Sequence, residues 1–174
     1  MKKLMFLMFA LVMGFSASAQ TLPDVKIENQ EGKVVSIREV IDGTPMILSF
    51  WSTTCKPCIM ELNAINNNLP DWLEEVNMKV VAVSVDDART VSRARAMTQG
   101  QGWDEYTCLY DKNQDLKRAM NVSLTPHTFI VDGDGTIVYS HSGYTPGSEQ
   151  ELFKKSKSLK SQIGITITQG VTLQ

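Results

Sequence analysis

The run Pro45-Met46-Ile47-Leu48-Ser49-Phe50-Trp51 leads through Ser52-Thr53-Thr54 into Cys55-Lys56-Pro57-Cys58. A nearly continuous apolar run of this length reads as a strand buried on both faces, which requires helices packed above and below it. The two thiols that follow lie one helical turn apart. Pro57 is tolerated in a first turn, so a helix is expected to begin near Cys55. Met60, Leu62, Ile65 and Leu69 supply its apolar stripe. A thiol at that start would be stabilised as thiolate by unpaired backbone N–H groups and the positive end of the helix dipole. Two cysteines so spaced close a small disulfide ring and open it again, although half of a zinc site has the same spacing.

The rest of the chain repeats the strand-then-helix pattern. Val25 to Asn29 and Lys33 to Ile37 flank Gln30-Glu31-Gly32, a hairpin turn with its glycine. Met78 to Val85 is a second buried strand, followed by a polar helix over about Ala88 to Thr98. A strand over Tyr106 to Tyr110 and a helix over Asn113 to Met120 come next. Thr128 to Val131 and Thr136 to Ser140 are strands joined by Asp132-Gly133-Asp134-Gly135. A last helix runs over about Ser148 to Ser161. Gly164 to Gln174 alternates well enough for an edge strand and equally reads as a frayed tail. The whole is an α/β three-layer domain with a mixed sheet.

Met1 to Ala19 stands apart from this pattern. Lys2 and Lys3, the apolar Leu4 to Phe15 and the small-residue Ala17-Ser18-Ala19 form a secretory signal peptide cleaved after Ala19. Its twelve apolar residues fall short of the roughly 20 that a spanning helix needs. The expected product is an exported, periplasmic protein with no stable membrane insertion. Taking 19 residues from 174 leaves 155, enough for one domain (20–174) with a sizeable core. Lys2 and Lys3 leave with the signal, so 17 basic residues become 15 against 19 acidic ones. The charges are dispersed, and no nucleic-acid surface is implied. Three cysteines are too few for a disulfide-stapled scaffold. In an oxidising compartment, a lone close pair therefore points to redox chemistry or metal binding.

A strand, then Trp51-x-x-x-Cys55-x-Pro57-Cys58, a helix, and later Thr125-Pro126-His127-Thr128-Phe129 resembles the thioredoxin fold. The N-terminal hairpin and the inserted helix–strand unit around Ala88 to Asp111 resemble the TlpA/ResA-type thiol–disulfide oxidoreductases over about Leu22 to Leu159. The resemblance makes Cys55 the attacking thiol, in agreement with its helix-start position, with Lys56 adding a screened positive charge. Cys58 becomes the resolving thiol. Glu61, three residues on, becomes a buried acid that assists proton transfer at Cys58. The competing reading from the residues alone is an ordinary solvated glutamate near a helix start. Pro126 matches the cis-proline that presents the Thr125 backbone to an extended substrate. Trp51, Lys56, Pro57, Thr125 and Pro126 form the expected substrate-binding set. No cofactor and no metal are implied. The expected partners are protein disulfides, apocytochrome c among them, and a membrane thiol-reductant donor.

The chain departs from the resemblance at two places. Ser49 stands where thioredoxins carry an aspartate two residues before the tryptophan, which shifts the weight onto Glu61. Thr54 stands where many relatives have a second tryptophan, so the partner-binding platform is smaller and more polar. His127 and His141 carry no expected chemistry. Asp132-Gly133-Asp134-Gly135 is read as a turn, since the remaining ligands of a calcium loop are missing. Trp72 and Trp103 are read as packing residues, and Cys108 as a buried strand thiol. Two rival readings are a copper-binding module using Cys55, Cys58 and a histidine, and a peroxiredoxin-like peroxidase built on Ser52-Thr53-Thr54-Cys55. The second lacks its expected proline, because Leu48 occupies that place.

Overall fold

Seven strands form one sheet in the computed structural model, which describes residues 20–169, with side chains to residue 159. The expected signal segment and residues 170–174 lie outside the described residues. In chain order the elements are β1 (Lys26–Glu28), β2 (Val34–Ser36), a 3-10 turn (Ile37–Val40), β3 (Met46–Trp51), α1 (Lys56–Glu75) and β4 (Lys79–Ser84). They continue with α2 (Val91–Gly100), β5 (Tyr106–Tyr110), α3 (Asp115–Ala119), β6 (His127–Val131), β7 (Ile137–Ser142) and α4 (Glu149–Gln169). Across the sheet the order is β2-β1-β5-β4-β3-β6-β7. β3, β4 and β5 are parallel, while β6, β7 and the β1–β2 hairpin run antiparallel to their neighbours.

All six residues of β3 are buried, as a central strand covered on both faces requires. Ile47 and Trp51 join a core under α1, α2 and α4 that includes Leu62, Ile65, Trp72, Trp103 and Leu152. Met46, Leu48 and Phe50 join a second core on the opposite face with Ile37, Leu116, Phe129 and Val131. The period-2 alternation of side chains along the strand makes this division. It confirms the three-layer α/β reading. The expected inserted unit is α2 with β5, which adds β5 beside β4.

The stripe of α1 is the expected one at Leu62, Ile65 and Leu69 and differs at Met60. Its buried positions are Cys58, Glu61, Leu62, Ile65, Leu69 and Trp72, spaced 3, 1, 3, 4 and 3, which lie on one helix face. Met60 falls outside that arc and is 43% exposed, while Glu61 takes the inward place. Trp72 stacks on Phe153 of α4 at 4.9 Å, which joins the two helices of this layer.

Two further details differ from the sequence reading. Ser36 caps the 3-10 turn in a reciprocal capping box with Glu39, a helical turn the residue pattern did not suggest. α4 continues to Gln169, so residues 164–169 extend a helix instead of forming an edge strand or a frayed tail. Adding a residue to an existing helix costs less than starting a new element. The Asp132–Gly135 segment is a turn, as expected: the Asp132 carboxylate accepts from the Asp134 and Thr136 N–H groups. Gly133 is required there, because a Cβ would meet the Gly43 carbonyl oxygen at 2.4 Å. The start of the described chain is laced to this turn, with Leu22 N–H donating to Gly135 O at 2.8 Å and Ile137 N–H to Gln20 O at 2.7 Å.

Candidate active site

Cys55 and Cys58 are joined by a disulfide, with their Cα atoms 5.3 Å apart. Cys55 is the N-cap of α1, and its sulfur accepts from the Cys58 N–H at 3.3 Å. Cys58 is fully buried, whereas Cys55 is half-buried and Lys56 and Pro57 are exposed. The outer sulfur is therefore the accessible one, and it sits where the helix start favours negative charge.

The loop that delivers Cys55 is braced from the neighbouring strand. Asp86, just past the end of β4, accepts from the Thr53 N–H at 2.9 Å and the Thr53 hydroxyl at 2.6 Å. The Ser84 hydroxyl also donates to it at 2.9 Å. Val85 N–H donates to Trp51 O at 2.8 Å, so β4 holds both ends of the turn. Sequence reading did not single out Asp86. The available signal was its place directly after an apolar parallel strand, at the carboxyl edge of the sheet, where α/β sites form.

Beneath the disulfide lies a buried polar cluster. Glu61 is 1% exposed, which removes the solvated-glutamate reading. Its Oε2 accepts from the Thr128 hydroxyl at 2.9 Å and the Ser49 hydroxyl at 3.1 Å, and those two hydroxyls are 3.0 Å from each other. Ser49 and Thr128 are register partners on β3 and β6, so both present their hydroxyls to the same face. Burial raises the Glu61 pKa from its ordinary 4.5 to about 7. The hydroxyls of Thr128 and Ser49 oppose that rise, and the charge of Glu149 adds to it. Both hydroxyls donate to the same carboxyl oxygen, which favours the ionised form and holds in check the rise that burial causes. Glu61 and Cys58 are one helical turn apart on one face, which places their Cβ atoms roughly 5–6 Å apart. A carboxyl that titrates near neutrality beside a thiol is equipped to exchange a proton with it.

The Thr125–Pro126 peptide bond is cis. Pro126 is buried and Thr125 half-buried at the start of β6, the strand beside β3. Trp51 does not belong to the substrate-binding face. It is fully buried, edge-on to Trp103 with ring centroids 5.2 Å apart, and supports the site from below. The even spacing that buries Ile47 and Ser49 on the α1 side turns Trp51 inward with them. Trp72 and Trp103 pack as expected.

His127 is turned toward the α3 side of the sheet. It stacks on Phe129 at 4.5 Å, and its two ring nitrogens meet Ser140 and Ser142 of β7 at 3.1 and 2.9 Å. Cys108 is half-buried, not buried as expected, and burial raises its thiol pKa to about 11. Among the described residues no group of three or more His, Cys, Asp or Glu side chains is placed to hold a metal ion.

A redox-capable cysteine pair at the helix start after β3, with a cis-proline leading into the neighbouring strand β6, defines a thioredoxin-fold thiol–disulfide oxidoreductase. The chain belongs to the AhpC/TSA family, whose model matches residues 19–140. The thiol-disulfide oxidoreductase ResA of Bacillus thuringiensis (strain Al Hakam) is 26% identical over 153 residues, covering 84% of this chain and 86% of that protein. The thiol:disulfide interchange protein DsbE of Yersinia pestis is 32% identical over 124 residues, covering 70% of this chain and 62% of that protein. The solution structure of a thioredoxin-like protein from Porphyromonas gingivalis is 48% identical, with a TM-score of 0.71, over 79% of this chain and 90% of that one.

Proposed function

We propose that this protein is an exported reductase of protein disulfides, with Cys55 as nucleophile, Cys58 as resolving thiol and Glu61 as proton acceptor. The observation that carries the reading is the burial of Glu61 among Ser49 and Thr128, one turn from Cys58. In the reduced protein the Cys55 thiolate attacks one sulfur of a substrate disulfide, and the substrate's other sulfur leaves as a thiolate. Cys58 then gives its proton to Glu61 and attacks Cys55 Sγ. The bond between Cys55 and the substrate breaks, and the second substrate sulfur leaves with its electron pair. Two electrons have passed to the substrate, and the Cys55–Cys58 disulfide remains. Lys56, Pro57, Thr125 and Pro126 would border the attacking sulfur and hold the substrate segment in extended form.

The proposed setting is the periplasm, reached through a signal peptide cleaved after Ala19, with 20–174 as one domain. Among the described residues no helix is long and apolar enough to cross a membrane. The lysine pair, apolar stretch and small-residue site of residues 1–19 support export. In an oxidising compartment a reductase needs an electron supply, and a membrane thiol transporter would regenerate the dithiol. Protein disulfides, those of apocytochrome c among them, are the proposed substrates.

The test is the reduction potential of the Cys55–Cys58 couple in mature protein carrying Cys108→Ser. A value near about −270 mV is expected of a reductant. A value near about −120 mV would reverse the direction and make the protein a disulfide donor.

A further inference from the structure

Residues 20–22 are built into the rim of the sheet. Gln20 O accepts from the Ile137 N–H at 2.7 Å, Thr21 forms a bridge with Thr136, and Leu22 N–H donates to Gly135 O at 2.8 Å. Leu22 is fully buried and belongs to the core that holds Met46, Leu48 and Phe129. Gln20 is exposed, so its carbonyl is fixed on β7 while the residue stays open to solvent. Only Thr21 stands between it and the core. Cleavage after Ala19 makes Gln20 the first residue of the exported protein. A glutamine in that place carries a nucleophile and an electrophile together: its α-amino nitrogen can reach its own side-chain Cδ and close a five-membered ring. Both groups belong to one residue, so the reaction needs no second molecule to be brought into place.

We propose that Gln20 is a modification site, cyclised to pyroglutamate, and that the lactam seals the start of the mature chain. This rests on the reading of export with cleavage after Ala19. The α-amino nitrogen attacks Cδ and forms the N–Cδ bond. The Cδ–Nε2 bond breaks, a proton passes from the attacking nitrogen to the leaving one, and ammonia departs. No oxidation state changes and no co-reactant is consumed. The ring takes up none of the groups that the sheet uses. The Gln20 carbonyl, the Thr21 backbone and the Leu22 N–H all lie outside it, so the pairing with β7 and its preceding turn survives. Chain ends are where proteolysis concentrates, and an aminopeptidase needs a free α-amine. Removing that amine protects Thr21 and the buried Leu22 behind it.

The experiment is intact-mass and N-terminal peptide mass spectrometry on the protein exported by its native host and measured fresh. The expected species is residues 20–174 lighter by one ammonia. Residues 20–174 at full mass, with free glutamine in front, overturn the proposal and leave cleavage after Ala19 standing. So does a fresh sample that loses its ammonia only on storage. Any other first residue overturns the cleavage site, and the proposal falls with it. The sealing role is read with Gln20→Asn, whose side chain is one methylene shorter and could close only a strained four-membered ring. An added aminopeptidase is expected to shorten that variant and to leave the parent intact. Trimming of both proteins shows that no seal exists. Resistance of both shows that pairing with the sheet protects the chain start by itself, and either result overturns the role of the lactam.

Discussion

Replacing Glu61 with glutamine preserves the size and shape of a group held by two hydroxyls while removing its titration. The free-energy consequence follows from the buried cluster. Glu61 has an ordinary pKa of 4.5 and a folded one near 7, so between those values the folded protein holds a proton that the unfolded chain has released. At Glu61 the native state then binds more protons than the unfolded one, so this group's contribution to stability falls as pH rises through that window. The contribution is constant below about 4.5 and again above about 7. At about 1.4 kcal/mol per pH unit, the interval amounts to about 3 kcal/mol. Glutamine carries no such dependence. The oxidised Glu61→Gln protein should therefore gain about 3 kcal/mol on the parent in going from pH 4.5 to pH 8. Urea unfolding of both proteins across that range, with the disulfide intact, measures the difference directly. Thiol exchange by the same variant near neutral pH should be slowed. A stability difference that does not change with pH would refute a neutral, buried Glu61. A preserved exchange rate would remove it from the mechanism.

The hydroxyls around Glu61 and the brace on the active-site loop give two more expectations. Thr128→Val deletes a donor that holds the Glu61 pKa down. The midpoint of its carbon-13 titration should rise above that of the parent, and a fall would contradict the geometry. Asp86→Ala leaves the Thr53 N–H, the Thr53 hydroxyl and the Ser84 hydroxyl without their shared acceptor. Since hydrogen bonds to a charged group contribute about 1.5–3 kcal/mol, a loss of about 2–3 kcal/mol is expected in denaturant titration, with slower exchange at Cys55. Unchanged stability would show that the loop does not depend on β4.

Much of the fold was legible because its signals are local. The fully apolar β3 run, the Cys-x-Pro-Cys at a helix start and the glycine turns each constrain their own segment through backbone and burial rules. The cysteine pair was legible for the same reason. The orientation of α1 was harder, since Met60 and Glu61 are adjacent and a rotation of one residue exchanges their places. Hydrophobicity favours burying Met60, but Ser49 and Thr128 offer hydroxyls that only a polar group can use. Those partners lie 12 and 67 residues away in sequence, so no window along the helix reveals them. Asp86 escaped notice likewise, because it looks like a routine surface acid until the contacts across the sheet are known. The inward turn of Trp51 is another long-range result, fixed by its packing on Trp103.

Placing the acid on α1, with Ser49 on the strand where relatives in the thioredoxin fold have an aspartate, changes what the reaction tolerates. Thiol and carboxyl belong to a single helical turn, so a small slide of the helix over the sheet carries both together. Their separation depends on the helix backbone, whereas the hydroxyls of Ser49 and Thr128 would lag behind. Such a slide would loosen the hydroxyl cradle while leaving the proton route intact, which couples helix position to the basicity of Glu61.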